Sequence, residues 1–494
     1  MNKQVEVKFK DNKPKWAEAK SGKSNRSSVE PGEGRRGEKR AHRDADEHNG
    51  KKLPKQAAAS RMNAGERKSN DSWQADKAYA KKKQFAVENP EDDYSVDMAK
   101  MQRILARFKP SAEPKCPIYQ QCGGCQLQQL SYEEQLRFKR NVVVEDMKVI
   151  GHLANTPVLP VLGAAEPWNY RNKSQMPLGF VKGKLVLGCY AQGTHEIIDT
   201  NDCPIQQAEN NELMQACREV ISRLNIPIYN EDKHTGILRH IVGRVGRNGE
   251  LMLVLVTTDA ELRNEKQLVN LLRKRLPKLV SVHQNIQTYH NSVVMGRETR
   301  LLWGKQAILA KLGPLSFTVS PRSFFQINTA QAEVLYNTAL DFAQLTGKET
   351  VIDAYCGTGT ISLYLAKKAR KVYGIEIVRP AILDANRNAK ENKIKNAEFI
   401  CGDATREIPK LYAKGIQADV VVVDPPRAGC TPKVLQTFAD MHPQRIVYVS
   451  CNPETLARDL KLLSKMGYRT EKVQPVDMFP QTFHVECAAL LRKI

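Results

Sequence analysis

The chain has 494 residues, more than one ordinary domain needs, so two or three domains are expected. Its 76 Lys and Arg residues outnumber 54 Asp and Glu residues, and the net charge of +22 suits a polyanionic partner such as nucleic acid. No stretch reaches the roughly 18 apolar residues that a membrane-spanning helix requires, and the N-terminus lacks the apolar core of a signal peptide. We expect a cytoplasmic protein.

Residues 1–110 differ in composition from the rest of the chain. They contain 27 basic and 17 acidic residues and almost no β-branched or aromatic clusters. Such a segment buries too little apolar surface to offset its ordering entropy, so a disordered basic tail is predicted, with one short helix in residues 96–109. The tail is either a solvated segment without a task or an electrostatic tether to RNA phosphates.

Residues 111–320 are predicted to form a central α+β domain. Short β-rich runs such as "LMLVLVTT" (251–258) alternate with turn signals, and a helical stretch at 208–225 interrupts them. This pattern favours an antiparallel sheet. Cys116, Cys122 and Cys125 lie near the start of the domain. Three cysteines this close in a reducing compartment indicate a zinc or iron–sulfur site.

Residues 321–494 change to a strand, turn, helix rhythm. This alternation predicts a Rossmann-like, doubly wound α/β domain, with its chemistry beyond the carboxyl ends of parallel strands. A Gly-rich turn, "DAYCGTG" (353–359), separates a strand from a helix, and Glu376 ends the next strand. A carboxylate there can accept ribose hydroxyls, so the pattern predicts an adenosine cofactor, of which S-adenosylmethionine is the common one. Asp403 is placed either to reach the adenine side or to cap a helix.

Two later loops carry further candidate residues. Asp424-Pro-Pro-Arg427 is either a rigid loop that ends a buried strand or a loop that faces the substrate. In methyltransferases such loops often address planar nitrogen groups, so transfer to an exocyclic amine is a rival chemistry, although it needs no thiol. Cys451 lies in "VSCNP" (449–453). Considered without its neighbours, it would be interpreted as a buried structural cysteine.

Taken together, the motifs resemble those of a known family. Residues from about 112 to the end resemble the RNA uracil-C5 methyltransferase family, most of all its iron–sulfur-containing members that act on 23S ribosomal RNA. The motifs that carry the resemblance occur in the family's order: Cys116-x5-Cys122-x2-Cys125, "SFFQIN" (323–328), "DAYCGTGT", "VVVDPPRAG", "VSCNP" and the closing "HVE" (484–486). Ribosomal RNA enzymes of the family commonly begin with a small β-barrel RNA-binding domain, which residues 1–110 do not resemble.

The resemblance implies roles for particular residues. It implies a methyltransferase domain that depends on S-adenosylmethionine, with Cys451 as the nucleophile and Glu486 as the base. The residues implied for the cofactor site are Gln326, Tyr355, Thr360, Glu376, Asp403 and Asp424. It further implies a [4Fe–4S] cluster whose fourth ligand is Cys203, in "TNDCPI". Cys189 is the rival, and its place inside an alternating strand favours a packing role.

The implied reaction explains why a thiol is needed. Uracil C5 is a poor nucleophile until a thiolate adds to C6, and a base must afterwards remove the C5 proton. Arg427 is expected to favour the thiolate. We therefore expect C5 methylation of a uridine in 23S ribosomal RNA. The alternatives are the same reaction on a transfer RNA and a non-catalytic RNA-binding or assembly factor. The oligomeric state is left open, with a monomer as the expectation.

Two segments are candidates for RNA contact. Residues 169–180 mix Arg171 and Lys173 with Tyr170 and Phe180, a combination suited to phosphate contact and base stacking, although an ordinary solvated strand looks the same. In "SPRSFFQIN", Phe324 stands near the cofactor motif, where an aromatic ring can take the place of a flipped base.

Overall fold

The computed structural model describes residues 97–289 and 293–494, so most of the predicted tail lies outside the described residues. Helix α1 (Met98–Leu105) falls within the segment for which the sequence predicts a short helix. It begins where the side chain of Asp97 accepts a hydrogen bond from the backbone N–H of Lys100 (3.0 Å). Met101 and Ile104 are buried. Packed structure therefore begins before residue 110, where the predicted tail was expected to end.

Helix α2 (Tyr132–Val149) lies between α1 and the central sheet in the sequence. Ser131 caps its first turn, where Glu133 and Glu134 also complement the positive end of the helix dipole. Its buried face mixes apolar side chains with two fully buried charged residues, Lys139 and Asp146. Charged residues at such positions require partners, and both have them in the C-terminal part of the chain or in α1.

The central part of the chain forms a seven-stranded sheet. Its strands in chain order are β1 (Lys173–Val181), β2 (Lys184–Tyr190), β3 (Ile197–Asp199), β4 (Leu238–Val245), β5 (Leu251–Thr257), β6 (Leu279–Ile286) and β7 (Glu298–Gly304). Across the sheet the order is β3-β2-β1-β4-β5-β6-β7. Helix α3 (Ala208–Arg223) precedes β4, and helix α4 (Glu265–Arg275) connects β5 to β6. The predicted α+β architecture is confirmed.

One pair of strands departs from the predicted antiparallel arrangement. β5 and β6 run parallel, whereas the other neighbouring pairs of this sheet are antiparallel. Parallel neighbours need a crossover connection, and α4 supplies it. β5 is buried along its whole length, as expected for a strand covered on both faces.

A two-stranded hairpin and a helix connect this sheet to the next. The hairpin consists of β8 (Ile308–Leu312) and β9 (Leu315–Val319), whose alternating burial places one face on the core. Helix α5 (Thr329–Ala343) follows, with Asn328 as its N-cap.

The C-terminal part forms a second seven-stranded sheet. Its strands are β10 (Thr350–Ala354), β11 (Lys371–Glu376), β12 (Ala397–Cys401), β13 (Val420–Val423), β14 (Arg445–Ser450), β15 (Tyr468–Val476) and β16 (Glu486–Lys493). The helices that alternate with them are α6 (Thr360–Ala366), α7 (Arg379–Glu391), α8 (Ala404–Ala413), α9 (Pro432–Asp440) and α10 (Pro453–Lys465). The order across the sheet is β12-β11-β10-β13-β14-β16-β15.

This topology places a ligand site at one edge. β10 lies between β11 and β13, so the chain reverses its direction of travel across the sheet at β10. Ligands of such sheets bind beyond the carboxyl ends of the strands at this switch point. The five strands β10 to β14 are parallel, as predicted, and in this sheet only β16, which lies between β14 and β15, runs antiparallel to its neighbours.

The two sheets share apolar packing. Met252 and Val254 of β5 belong to the same buried cluster as Phe317 of β9 and Val351 of β10. Among the described residues, no helix combines the length and the apolar character that crossing a bilayer requires.

Candidate active site

The turn after β10 has a backbone that favours glycine. Gly357 and Gly359 have φ values of +54° and +81°, and a Cβ on Gly359 would lie 2.9 Å from the ring of Phe399. Tyr355 also has a positive φ (+64°), which is uncommon for a residue with a side chain. The turn thus leads the chain tightly from β10 into α6 at the carboxyl edge of the sheet.

Glu376 is bound to this turn through its carboxylate. Its Oε2 accepts a hydrogen bond from Gly357 N–H (3.2 Å), and its Oε1 accepts one from Val378 N–H (2.8 Å). Gly357, Thr358 and Glu376 line one cavity of ≈ 650 Å³. A carboxylate fixed at the end of the second strand beside a Gly-rich turn is the arrangement that accepts ribose hydroxyls in nucleotide-binding sheets. These residues fit an adenosine group.

Asp403 caps helix α8, which is the second of the two roles that the sequence allowed. Its Oδ1 accepts hydrogen bonds from the backbone N–H (2.7 Å) and the hydroxyl (2.6 Å) of Thr405. The hydrogen bonds from Thr405 lower the pKa of Asp403. A contact with adenine remains a prediction for this exposed residue.

Tyr336, in the middle of α5, contacts several of the predicted residues, although no sequence pattern pointed to it. Its hydroxyl lies 3.4 Å from Thr360 Oγ1 and hydrogen-bonds the side chain of Gln326. Burial raises the pKa of Tyr336, and the charges of Asp424 and Glu486 raise it further. Because Tyr336 occupies an ordinary buried helix position, periodicity alone predicts only packing for it.

Cys451 and Glu486 are brought together by the pairing of β14 with β16. The last pair in the register is Ser450 with Cys487, so Cys451 and Glu486 fall one position beyond it on adjacent strands. Asp424 follows β13, the other neighbour of β14, at the same edge of the sheet. The sequence could not show this proximity, because β15 intervenes in the chain between β14 and β16.

The charges at this edge act on one another. Burial, followed by the charges of Glu486 and Asp424, raises the pKa of Cys451 to about 12. Burial and the charge of Asp424 raise the pKa of Glu486 to about 8. Arg427 lowers both pKa values without outweighing burial. Arg427 thus favours the thiolate of Cys451, as expected, but desolvation opposes the charged form more strongly, so the pKa of Cys451 is raised overall.

The sequence around Cys451 explains its fixed position. Asn452 caps α10 by accepting the backbone N–H of Glu454 (3.1 Å), and Pro453 takes the first helical position. The side-chain amide of Asn452 donates to the carbonyl oxygen of Arg427 (3.2 Å). The Asn-Pro pair thus fixes where β14 ends and α10 begins, and Cys451 lies at that junction.

His484, like Tyr336, was not predicted as a site residue, although it lies in the motif "HVE". It lines a small cavity together with Cys451 and Arg427. The guanidinium of Arg427 donates to His484 Nδ1 (3.1 Å). Burial and the charge of Arg427 lower the pKa of His484 to about 4, so the imidazole is neutral at ordinary pH.

Five cysteines line another cavity, of ≈ 340 Å³, beside the central sheet. They are Cys116, Cys122, Cys125, Cys189 and Cys203. The side chains of Cys122 and Cys189 hydrogen-bond each other, so Cys189 does more than pack inside its strand. Over residues 97–289 and 293–494, no group of three or more His, Cys, Asp or Glu side chains is arranged to hold a metal ion.

The candidate RNA-contact residues divide into buried and exposed ones. Tyr170 is buried, and its hydroxyl donates a hydrogen bond to the carbonyl oxygen of Pro480 (3.0 Å). Its ring is therefore not accessible for base stacking in this structure, and that expectation is wrong. Phe180 is 62% exposed and Phe324 is 73% exposed, which leaves both rings accessible. Phe324 and Arg322 lie on the same cavity as Glu376.

Comparisons with known proteins agree with this architecture. A model of the family described as tRNA (Uracil-5-)-methyltransferase matches residues 313–494. The chain is 51% identical over 383 residues to an uncharacterized RNA methyltransferase of Bacillus cereus, covering 77% of this chain and 84% of that protein. It is 50% identical over 393 residues to an uncharacterized RNA methyltransferase of Halalkalibacterium halodurans, covering 79% and 86%.

A solved structure extends the similarity to the fold. The tRNA (uracil-54, C5)-methyltransferase of Pyrococcus abyssi, crystallised with S-adenosyl-L-homocysteine, is 30% identical with a TM-score of 0.61. The match covers 75% of this chain and 86% of that one. Fold and relatives together place the protein among the methyltransferases that use S-adenosylmethionine. Within that class, the chain belongs to the RNA uracil-C5 methyltransferase family, which confirms the resemblance of its motifs at the level of the family.

Proposed function

We propose that this enzyme methylates C5 of a uridine in RNA through a covalent bond between Cys451 and C6 of the base. The observation that carries the proposal is the strand register that sets Cys451 beside Glu486, one position beyond the pair Ser450–Cys487. A methyltransferase acting on an amine has no need of a thiol and a carboxylate at this place.

The proposed steps use the two side chains in turn. The Cys451 thiolate forms a bond to C6, and the electron pair of the C5–C6 double bond moves toward C5 and the C4 carbonyl. S-adenosylmethionine, when bound, supplies the methyl group that C5 accepts. Glu486 then takes the C5 proton, the C5–C6 double bond re-forms, and the thiolate leaves. Burial keeps the pKa of Glu486 at about 8, which suits a general base that works near neutral pH.

The cofactor site is proposed at the switch point of the second sheet. Glu376 is already oriented by the Gly357 and Val378 N–H groups, which supports a role in accepting the ribose hydroxyls. The side chains proposed around the rest of the cofactor are Gln326, Tyr355, Thr360, Asp403 and Asp424. Asp424 influences the pKa values of both Cys451 and Glu486, which supports a position between the cofactor and the base pocket.

The RNA class is proposed to be 23S ribosomal RNA, with transfer RNA as the second candidate. The cysteine set supports the first, since the iron–sulfur members that this sequence resembles act on that RNA. The Pyrococcus abyssi enzyme, whose substrate is a transfer RNA, supports the second. The net charge of +22 suits either polyanion.

A [4Fe–4S] cluster is proposed in the cysteine-lined cavity. Four thiolates hold such a cluster, and five cysteine side chains surround this cavity. Cys116, Cys122 and Cys125 are the proposed ligands from one loop. Cys203 is the proposed fourth ligand, and the contact between Cys189 and Cys122 makes Cys189 its rival. The cluster would have a structural role and take no part in methyl transfer.

Methylation of purified RNA tests the proposed function. Wild-type protein and Cys451→Ala protein are incubated with radiolabelled S-adenosylmethionine and with 23S ribosomal RNA or transfer RNA from cells that lack the enzyme. We expect C5-methyluridine in the ribosomal RNA and no product from the variant. Label confined to transfer RNA would select the second candidate, and label on a base nitrogen would refute the proposed chemistry.

A further inference from the structure

Helix α1 is tied to the loop of the candidate nucleophile by a buried cation. Lys100 Nζ donates to Asp146 Oδ1 and Oδ2 on α2 (2.8 and 2.9 Å) and to Glu454 Oε1 (2.7 Å). Glu454 lies three positions after Cys451, in the first turn of α10. Lys100 is 4% exposed. One ammonium group therefore joins α1, α2 and α10 away from water.

Removing this cation would leave two carboxylates facing each other. Burial alone lowers the pKa of Lys100, but the charges of Asp146 and Glu454 raise it above its ordinary value, so the group is an ammonium ion. Two buried carboxylates without it would repel each other or take up a proton. Glu454 is thus held toward α1 by attraction that no uncharged side chain at position 100 can replace.

The same helix forms part of the wall around Cys451. Asp97, Lys100 and Met101 line the small cavity that Cys451 and His484 also line. Three residues from outside the second sheet therefore border the space beside the candidate nucleophile.

A second set of contacts holds the loop that leads to Glu486. Gln481, five positions before Glu486, is 1% exposed and has a φ of +72°. Its carbonyl oxygen accepts hydrogen bonds from the N–H groups of Gln126 (2.9 Å) and Leu127 (3.0 Å). Gln135 Oε1 accepts from Gln481 N–H (3.0 Å), and Gln135 Nε2 donates to Gln481 Oε1 (2.9 Å). Four hydrogen bonds from outside the second sheet thus hold a backbone conformation that is costly for glutamine.

We propose that the segment 97–139 is a positioning element that sets the geometry of both catalytic loops. Lys100 positions the Cys451 loop through Glu454, and Gln135 positions the Glu486 loop through Gln481. In this proposal, Lys100 and Gln135 do not contact the uracil or the methyl donor. They act through Glu454 and Gln481. The inference rests on the proposed function, because it assigns each contact to one of the two steps.

Two variants of the full-length protein separate the steps. Lys100→Met is expected to slow formation of the covalent RNA adduct about 100-fold, the effect of displacing a reacting group by about 1 Å. Gln135→Leu is expected to slow release of the methylated RNA by a similar factor, so that adduct accumulates. The KM for S-adenosylmethionine should not change in either variant, since neither residue lies at the cofactor turn.

Exposed residues of the same two helices provide matched controls. Arg103→Met on α1 and Arg137→Leu on α2 remove cations whose side chains are 46% and 61% exposed. Both controls should form and release adduct at the wild-type rate. The positioning role is overturned if Lys100→Met behaves like Arg103→Met, or if Gln135→Leu behaves like Arg137→Leu.

A double variant distinguishes positioning from general stability. In Lys100→Met/Glu454→Gln, an uncharged amide replaces one of the two buried carboxylates that Lys100 binds, so the Tm should recover part of the loss caused by Lys100→Met alone. Adduct formation should remain slow, because nothing draws residue 454 toward α1. Recovery of both Tm and rate would show a purely structural role and overturn the inference.

The outcome can be separated from that of the proposed function. If Glu486→Gln protein forms no adduct at all, the covalent mechanism fails by itself. The positioning role is then tested by measuring the overall rate of RNA methylation. Lys100→Met should still lower kcat about 100-fold without changing the KM for S-adenosylmethionine, and an unchanged kcat would overturn it.

Discussion

Cys451 and Glu486 are cross-strand neighbours, one position past the last pair of β14 and β16, Ser450 and Cys487. This placement makes their ionisation interdependent, because the charge of Glu486 raises the pKa of Cys451. Two adjacent anions in a buried site are costly, so the resting site is expected to hold a thiol. The thiolate is needed only for addition and the carboxylate only for elimination, so the two charges are required at different times.

The two residues are expected to control different steps. Cys451→Ala should abolish both the covalent RNA adduct and C5-methyluridine, because the thiol that forms the bond to C6 is removed. Glu486→Gln keeps the size of the side chain but removes the base, so addition and methyl transfer should proceed while elimination stalls. The measurement is denaturing gel electrophoresis with label in the methyl group.

A cysteine away from the site controls for thiol loss in general. Cys401→Ala replaces an exposed thiol at the end of β12 and should leave methylation unchanged. Wild-type turnover by Glu486→Gln, or C5-methyluridine made by Cys451→Ala, would disprove the assigned roles.

Adduct formation should accelerate steadily with pH. Burial, then the charges of Glu486 and Asp424, raise the pKa of Cys451 to about 12. Below this pKa, the thiolate fraction grows about tenfold for each unit of pH, so the rate should keep rising from about pH 6 to about pH 9. Rapid-quench measurement at saturating RNA gives the profile. A rate that is flat above about pH 7 would show that the thiol ionises far more easily than its surroundings indicate.

The same argument predicts that Glu486→Gln forms its adduct faster than wild type at a fixed pH above about 8, where the wild-type Glu486 is mostly ionised. The substitution removes a negative charge that raises the pKa of Cys451, so more thiolate is present. An equal or slower rate of addition in this variant would contradict the electrostatic coupling of the two residues.

The sequence predicted the elements of the site better than their arrangement. Strand-turn-helix alternation was enough to predict the parallel sheet and the Gly-rich turn, because both follow from local patterns. The pairing of β14 with β16 is a long-range contact, and no local pattern predicts it. The family resemblance, rather than periodicity, therefore suggested that Cys451 and Glu486 act together.

Buried polar residues were the least predictable part of the fold. Lys100, Lys139 and Gln135 occupy positions where a helix pattern alone predicts solvent exposure or loose packing. Lys139 is buried against Asp477, and Gln135 is buried against Gln481. Each of these partners lies more than 300 residues away in the sequence. For Cys451, the direction of the effect of Arg427 was predicted but the larger effect of burial was not, since charge can be read from a sequence but desolvation cannot.

Iron content tests the cysteine-lined cavity. Anaerobically purified protein should be brown and contain about four irons per chain. Cys203→Ser should lose the colour and Cys189→Ser should retain it, if Cys203 is the fourth ligand. The reverse result would assign the fourth position to Cys189, which contacts Cys122. Stoichiometric zinc without iron would disprove the cluster.

The basic N-terminal segment should contribute to RNA affinity through charge alone. Residues 1–96 can be deleted without removing α1, so the contacts of Lys100 remain. If the segment binds phosphates, its loss should weaken RNA binding and flatten the dependence of log Kd on log salt concentration. The turnover of bound RNA should hardly change. An unchanged salt slope in filter-binding measurements would show that the segment does not contact RNA.

Lys139 and Asp477 should contribute strongly to the stability of the folded chain. Both side chains are fully buried, and Lys139 Nζ donates to Asp477 Oδ1 (2.5 Å) and to the carbonyl oxygen of Phe479 (2.9 Å). Lys139→Met leaves a buried carboxylate without its cation, so the free energy of unfolding should fall by about 3–5 kcal/mol. Lys148→Met, at an exposed position of the same helix, should change it by less than about 0.5 kcal/mol. Urea denaturation of both variants measures the difference, and equal midpoints would show that the buried pair adds nothing to stability.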